Sequence, residues 1–338
     1  MSSPDGEFSI IDRFFSQGSA NGPWFCKGVG DDCAIIDLGT SRIAVTMDML
    51  AVGTHFLPDA DPRDIGYKTL AVNLSDLAAA GAVPRAFFLS IGLPDKDEKW
   101  LEAFSSGLRE LSEASGCALL GGDTVRTPLQ NSSATAHSPA VFSVTALGEL
   151  PPGMGLTRGG ARPGDDIWVS GTLGDAYAAL KYRWGHWAAA PAAFKLMRRR
   201  MERPEPRNAL GRLLLPIATA AIDVSDGFEQ DLSHILERSH VKAEIEWDSL
   251  PRSEALQSLP LEQQQEAALS GGDDYELVFT APADRRREIF EAGIRSDTLV
   301  TRVGKILAES QQRDGALTVY DGHRRAVVLK SAGFDHFA

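Results

Sequence analysis

Cysteine is scarce in this chain. Cys26, Cys33 and Cys117 are the whole supply in 338 residues, and none falls in a CxxC or Cys/His cluster. An odd, scattered set of thiols excludes a disulfide framework and structural zinc, and fits a reducing compartment. Long apolar runs are missing too, since no stretch reaches the roughly 18–20 residues of a membrane span. The opening segment MSSPDGEFSIIDRFF has neither the basic start nor the apolar centre of a secretory signal. A cytoplasmic protein without membrane contact is therefore expected. Positive charge is in deficit, the net charge being −12. That balance disfavours a nonspecific grip on nucleic acid, which depends on Lys and Arg replacing condensed counterions. The common nucleotide signatures are also absent, with no GxxxxGK[ST] loop and no HRD or DFG set.

What remains is an ordinary globular composition, 43% apolar and 24% charged. A chain of this length is expected to form two domains of roughly 100–200 residues each. Strand and helix patterns alternate along it. IAVTMDM (43–49) places Ile43, Val45, Met47 and Met49 on one face, read as the core side, and Ala44, Thr46 and Asp48 on the other. Asp61-Pro62 opens a helix as N-cap and first-turn proline, and Gly81 stops it. AFFLSIG (86–92), CALL (117–120) and VFSVTALGEL (141–150) read as strands. A helix over 97–115 ends at Gly116, and 129–139 is a polar loop. PPGMG at 151–155 reads as the connection between a domain of residues 1–150 and a domain of residues 151–338. Beyond it come strands at 166–171 and 220–224, then YELVFT, LVTRVGKI and ALTVY, with helices at 174–184 and 227–239. The basic stretch 181–210, with arginines at 198–200, reads as a solvated helical surface. The fold class is α/β (α+β).

Acids lodged in apolar or glycine-rich segments set the chain apart. In Gly28-Val29-Gly30-Asp31-Asp32 the glycines let backbone N–H groups approach an anion, while the carboxylates suit a hard cation; a plain Asp-rich turn also fits. Asp48 lies on an apolar strand, with His55 nearby, and both also read as surface groups. In AVNLSDLAAAG, Asn73 and Asp76 share a helix face with Thr69, among Ala71, Val72, Leu74, Leu77 and Ala78. A helix apolar nearly all round is buried, and an unpaired carboxylate there is costly. A metal ion or a structural hydrogen bond would answer that cost. Gly121-Gly122-Asp123-Thr124 is placed at a strand's end, where ligands of α/β proteins collect, or in a simple turn. Asp223-Val224-Ser225-Asp226-Gly227 joins a strand to a helix, a position suited to Mg²⁺ and phosphate, or to Asp226 as a cap. Without a lysine-bearing phosphate loop, ATP chemistry here must lean on several Mg²⁺ ions.

Read in order, GVGDDCAII, TMDMLAVGTHF, KTLAVNLSDLAAAGA, GGDT, LTRGGARPGD, IDVSDGFEQDL, SGGDDYEL and GFDHF span nearly the whole chain. Together they resemble the thiamine-monophosphate kinase family, within the aminoimidazole ribonucleotide synthetase superfamily. The resemblance implies an N-terminal domain that pairs with its twin in a dimer-spanning β-barrel, and a C-terminal domain over an ATP cleft. It implies the reaction ATP + thiamine phosphate → ADP + thiamine diphosphate. By position it implies Asp32, Asp48, Asp76, Asp123, Asp223 and Asp226 as magnesium ligands, with Met47 contributing only its backbone. Gly122, Asp123, Arg158 and Ser225 match the family's ATP contacts, and His55, Asp273 and Phe334 its thiamine phosphate contacts. The family often has Glu in place of Asp273, and Trp or Tyr in place of Phe334. Both swaps keep a carboxylate and an aromatic face for the thiazolium cation. No catalytic base is expected, because the accepting phosphate, with a second pKa of about 6, is already anionic. Other readings are selenophosphate synthetase, for which Cys26-Lys27 offers only a superficial match, and a hydrogenase-maturation protein, whose terminal cysteine is replaced here by DHFA. A further alternative is a non-catalytic module that binds magnesium nucleotide or thiamine phosphate.

Overall fold

The computed structural model describes residues 25–27, 29–127, 140–308, 317–327 and 334. The opening segment, Gly28, the 129–139 loop and the rest of GFDHF lie outside the described residues.

The first sheet is built from β1 (Phe25–Lys27), β2 (Ala34–Asp37), β3 (Arg42–Ala51), β4 (Val83–Leu93), β5 (Ala118–Arg126) and β6 (Val141–Leu150). Its order is β1-β2-β3-β6-β4-β5, antiparallel except where β5 runs parallel to β4. Two helices cover one face, α1 (Pro62–Ala79) and α2 (Glu98–Ser115). Their ends follow local chemistry. The Asp61 side chain accepts from the Arg63 N–H, and that of Asp97 accepts from Lys99 and Trp100. Gly81 and Gly116 take the left-handed conformation that stops each helix. The two helices cross closely: a Cβ added at Gly107 would lie 1.8 Å from the Arg63 carbonyl oxygen. Phe104 stacks on Phe142 beneath them at 4.8 Å, tying α2 to β6.

The second sheet contains β7 (Asp165–Ser170), β8 (Ala220–Asp223), β9 (Val241–Glu246), β10 (Leu277–Pro282), β11 (Val300–Ala308) and β12 (Leu317–Tyr320). Its order is β12-β9-β11-β7-β10-β8, with only β12 and β9 parallel. Around it lie α3 (Asp175–Arg183), α4 (Pro191–Glu202), α5 (Asn208–Leu214) and α6 (Phe228–Ser239), then short α7 (Glu254–Gln257) and α8 (Leu261–Gln265), and α9 (Arg286–Arg295). The result is a mixed α/β, two-domain fold in which both sheets are open. α1 is buried around most of its surface and packs on β3, β6 and α2 of the first domain and on α5 and β8 of the second.

Three expectations are corrected. On β3 the core face is the reverse of the one read from alternation. Ala44, Thr46 and Leu50 are buried under α1, while Met47 and Met49 are 68% and 59% exposed. A period of two separates the faces, but the covering helix decides which is inside. Next, Gly121-Gly122-Asp123 ends no strand, because β5 continues through it to Arg126 after a bulge opposite Phe87 and Phe88. Last, the 181–210 stretch is no plain solvated surface. Arg200 and Arg207 converge on buried Glu276, each at 2.6 Å, and Arg203 bonds Asp64 at 3.0 Å and also Glu110. Those acids are far away in sequence, so the local charge pattern could not reveal them.

Candidate metal and phosphate site

The turn before β2, helix α1 and the end of β8 deliver Asp32, Asp76 and Asp223 to one point. Each offers a carboxylate oxygen, and these oxygens lie within 4.8 Å of one another. Few donors serve them. Ser75 donates to Asp223 at 2.6 Å, and Thr46 donates to Asp76. Arg158 grips Asp32 through Nε at 2.9 Å and Nη2 at 2.5 Å, while its N–H donates to Asp31 at 3.1 Å. Burial pushes the Asp32 carboxyl up to about 7 despite Arg158, and that of Asp223 up to about 6 despite Ser75. Asp76 is driven well above the usual range by burial and then by the charge of Asp48. Carboxyls crowded in a low-dielectric site cannot all stay ionised without a cation. The donors are all hard oxygens, a set that fits Mg²⁺.

Asp48 joins this neighbourhood on the helix-covered face of β3, its N–H donating to the Asn73 side chain at 3.1 Å. Met47 turns its side chain to the opposite face. Asp226 lies close enough to Asp223 for its charge to raise that carboxyl. The Asp226 carbonyl accepts from the Phe334 N–H at 3.0 Å, and its carboxylate accepts from Gln230 at 3.3 Å. It does not cap α6. The N–H groups of Ser225, Asp226 and Gly227 all donate to Asp231, at 3.0–3.1 Å. Asp231 therefore folds the whole DVSDG turn, and any contact from Ser225 to a phosphate must come from its hydroxyl. Asp231 escaped the sequence reading, although an acid in the first turn of a helix was a usable signal.

Asp123 is not brought to the cluster. Pairing across the sheet aligns Asp48, Val144, Leu89 and Gly122 in one row, so Gly122 is three strands from Asp48, about 14 Å at ordinary strand spacing. Asp123 falls in the next row with Ser90, Ser143 and Met49, on the face away from α1. At Gly122 a Cβ would stand 1.8 Å from the Leu89 carbonyl oxygen, so only glycine allows this approach of β5 to β4.

His55 and Asp273 meet in a separate cleft, also lined by Phe56, Lys68, Trp184 and Met201. The His55 Nδ1 accepts from the Ala51 N–H at 3.0 Å, which places the ring proton on Nε2. Asp273 has a left-handed backbone, and its N–H donates to the Ser225 carbonyl at 2.7 Å. Its carboxylate is paired with Lys68 at 2.6 Å, so the charge expected to face a thiazolium is already compensated. Phe334 is not among the described residues lining this cleft; its N–H bonds the Asp226 carbonyl, next to the Ser225 that Asp273 bonds.

Family models described as AIR synthase related protein, N-terminal domain and C-terminal domain, match residues 30–150 and 162–314. The thiamine-monophosphate kinase of Escherichia coli K12 is 41% identical over 337 residues, covering 98% of each chain. The crystal structure of thiamine-monophosphate kinase from Stenotrophomonas maltophilia superposes with a TM-score of 0.75 at 42% identity, covering 93% of this chain and 96% of that one. AaThiL complexed with AMPPCP and TMP gives 0.81 at 28% identity, covering 98% and 97%. The matches run from end to end and include the segments that carry the aspartate cluster: the chain belongs to the thiamine-monophosphate kinase family of AIR synthase related proteins.

Proposed function

We propose that the chain transfers the γ-phosphoryl group of ATP directly to the phosphate of thiamine monophosphate, giving thiamine diphosphate and ADP, with several Mg²⁺ ions held by its aspartates. The observation that carries the metal reading is the meeting of Asp32, Asp76 and Asp223 within 4.8 Å. Asp48 and Asp226 extend the set, and the Met47 backbone is read as a further contact. Gly122 and Asp123, about three strands away, are read as serving a separate ion and the nucleotide. Division at 151–155 into domains of 1–150 and 151–338 leaves ligands on both sides of the boundary.

Bound magnesium supplies charge neutralisation between two polyanions and polarises the transferred phosphoryl group. The protein's own groups do the rest. Arg158, buried beside Asp32, adds fixed positive charge where the phosphates meet, and the Ser225 hydroxyl is a donor to the nucleotide. His55, Asp273 and Phe334 hold the thiamine end. No side chain has to remove a proton, because the attacking phosphate oxygen is anionic near neutral pH. Orientation and electrostatics together account for the catalysis.

We also read the enzyme as a homodimer in which two first sheets close a shared barrel. Met47, Met49 and Phe88 expose apolar surface on the uncovered face, and β5 is an exposed edge strand. The three cysteines, all free thiols, fit a cytoplasmic setting. No helix among the described residues is long and apolar enough to cross a membrane.

The test is to incubate purified protein with ATP and thiamine monophosphate, with Mg²⁺ or with EDTA, beside free thiamine as a competing acceptor. Thiamine diphosphate should form only with the metal and only from the monophosphate. Phosphorylation of free thiamine in preference would overturn the acceptor assignment, and saturable binding without ADP would make the protein a binding module.

A further inference from the structure

Lys68 lies in the middle of α1 with a side chain only 4% exposed. A buried ammonium is costly unless it is paired and hydrogen-bonded, so its partners are informative. Its Nζ donates to the Asp273 carboxylate at 2.6 Å and to the His55 carbonyl at 3.1 Å. One partner belongs to the first domain and the other to the second. The remaining acids of the cleft are satisfied elsewhere, Asp64 by Arg203 at 3.0 Å and Glu202 by Arg198 at 2.7 Å. Among the described residues, the hydrogen bonds of Lys68 thus go to the two residues that the proposed function assigns to the acceptor.

Its place on α1 matters equally. Lys68 and Asp76 are eight residues apart on one continuous helix, about 12 Å along its axis. The helix that fixes a carboxylate of the cluster therefore also fixes both sides of the acceptor cleft. Asp273 adds a reason for an external anchor, because its left-handed backbone is unusual for a residue with a side chain.

We propose that Lys68 is a positioning residue for the acceptor: by holding the His55 carbonyl and the Asp273 carboxylate against α1, it sets where the acceptor sits relative to the aspartate cluster. This rests on the assignment of His55 and Asp273 to thiamine monophosphate.

The experiment compares Lys68→Met, Lys68→Arg, Asp273→Asn and His55→Ala by KM for each substrate. Lys68→Met should raise KM for thiamine monophosphate roughly tenfold or more, as expected when a charge-assisted anchor is removed, and leave KM for ATP within about twofold. Lys68→Arg, which keeps the charge, should recover most of the loss and should fold even if the Met variant does not. Equal loss for both substrates in whichever Lys68 variants fold, or no loss in either, would overturn the inference. If Asp273→Asn and His55→Ala leave the thiamine monophosphate KM untouched, the acceptor assignment itself fails. If they raise it while the Lys68 variants do not, only the role of Lys68 fails.

Discussion

Ser75 and Asp223 are 148 residues apart and joined by a 2.6 Å hydrogen bond, a hydroxyl of α1 donating to the carboxylate that ends β8. Both are buried, so the bond serves a charge that water cannot reach. Ser75→Ala should cost the metal-free protein roughly 1–3 kcal/mol, the penalty for leaving a buried acceptor short of a donor. Chemical denaturation in EDTA measures it, and an unchanged midpoint would mean that Asp223 finds another donor.

Asp76 presents the opposite case. Its carboxyl is held up by burial and by three neighbouring carboxylates, so it works against the fold when no cation is present. Asp76→Asn should abolish turnover while raising the melting temperature in EDTA. Activity near that of the unmodified enzyme would remove Asp76 from the metal set.

The same crowding fixes the sign of a pH dependence. Asp32 and Asp223 have folded values of about 7 and about 6, above those of an unfolded chain. The folded state therefore binds more protons over that interval, and the metal-free protein loses stability as pH rises through it. Scanning fluorimetry in EDTA should show a melting temperature that falls from pH ~4 to pH ~7 and levels off above it, and the gain on adding Mg²⁺ should grow over the same range. A gain independent of pH would show that the metal does not displace protons from these carboxyls.

The uncovered face of the first sheet yields an assembly prediction. Met49 is 59% exposed there, in the row that contains Asp123. Met49→Glu should shift the protein from dimer to monomer in sedimentation equilibrium. A monomer before the substitution, at tens of micromolar, would refute the shared barrel.

Much of the fold could be read in advance wherever the signal was local. Asp61-Pro62, Asp97 and Gly116 mark helix ends through bonds made within a few residues. The burial of α1 followed from apolar residues on every side, which also made Asp76 conspicuous. What could not be read depends on distant partners. Met47 and Met49 are more apolar than Ala44 and Thr46, yet α1 covers the latter. Gly121-Gly122 looks like a turn until β4 pairs with it. Arginines 200, 203 and 207 look solvated until Glu276, Asp64 and Glu110 arrive. Thr46 and Lys68 give no local sign of what they hold, and three-dimensional proximity reveals it.

α1 has almost no surface of its own. One side supports the first sheet, another meets α5 and β8, and Lys68, Ser75 and Asp76 are committed to the cleft and the cluster. Such a helix has few positions at which drift is free, because a change along most of it is felt by both lobes together. Over evolutionary time it can change only in step with its neighbours. It is therefore the segment in which a new relative of this enzyme should first be compared.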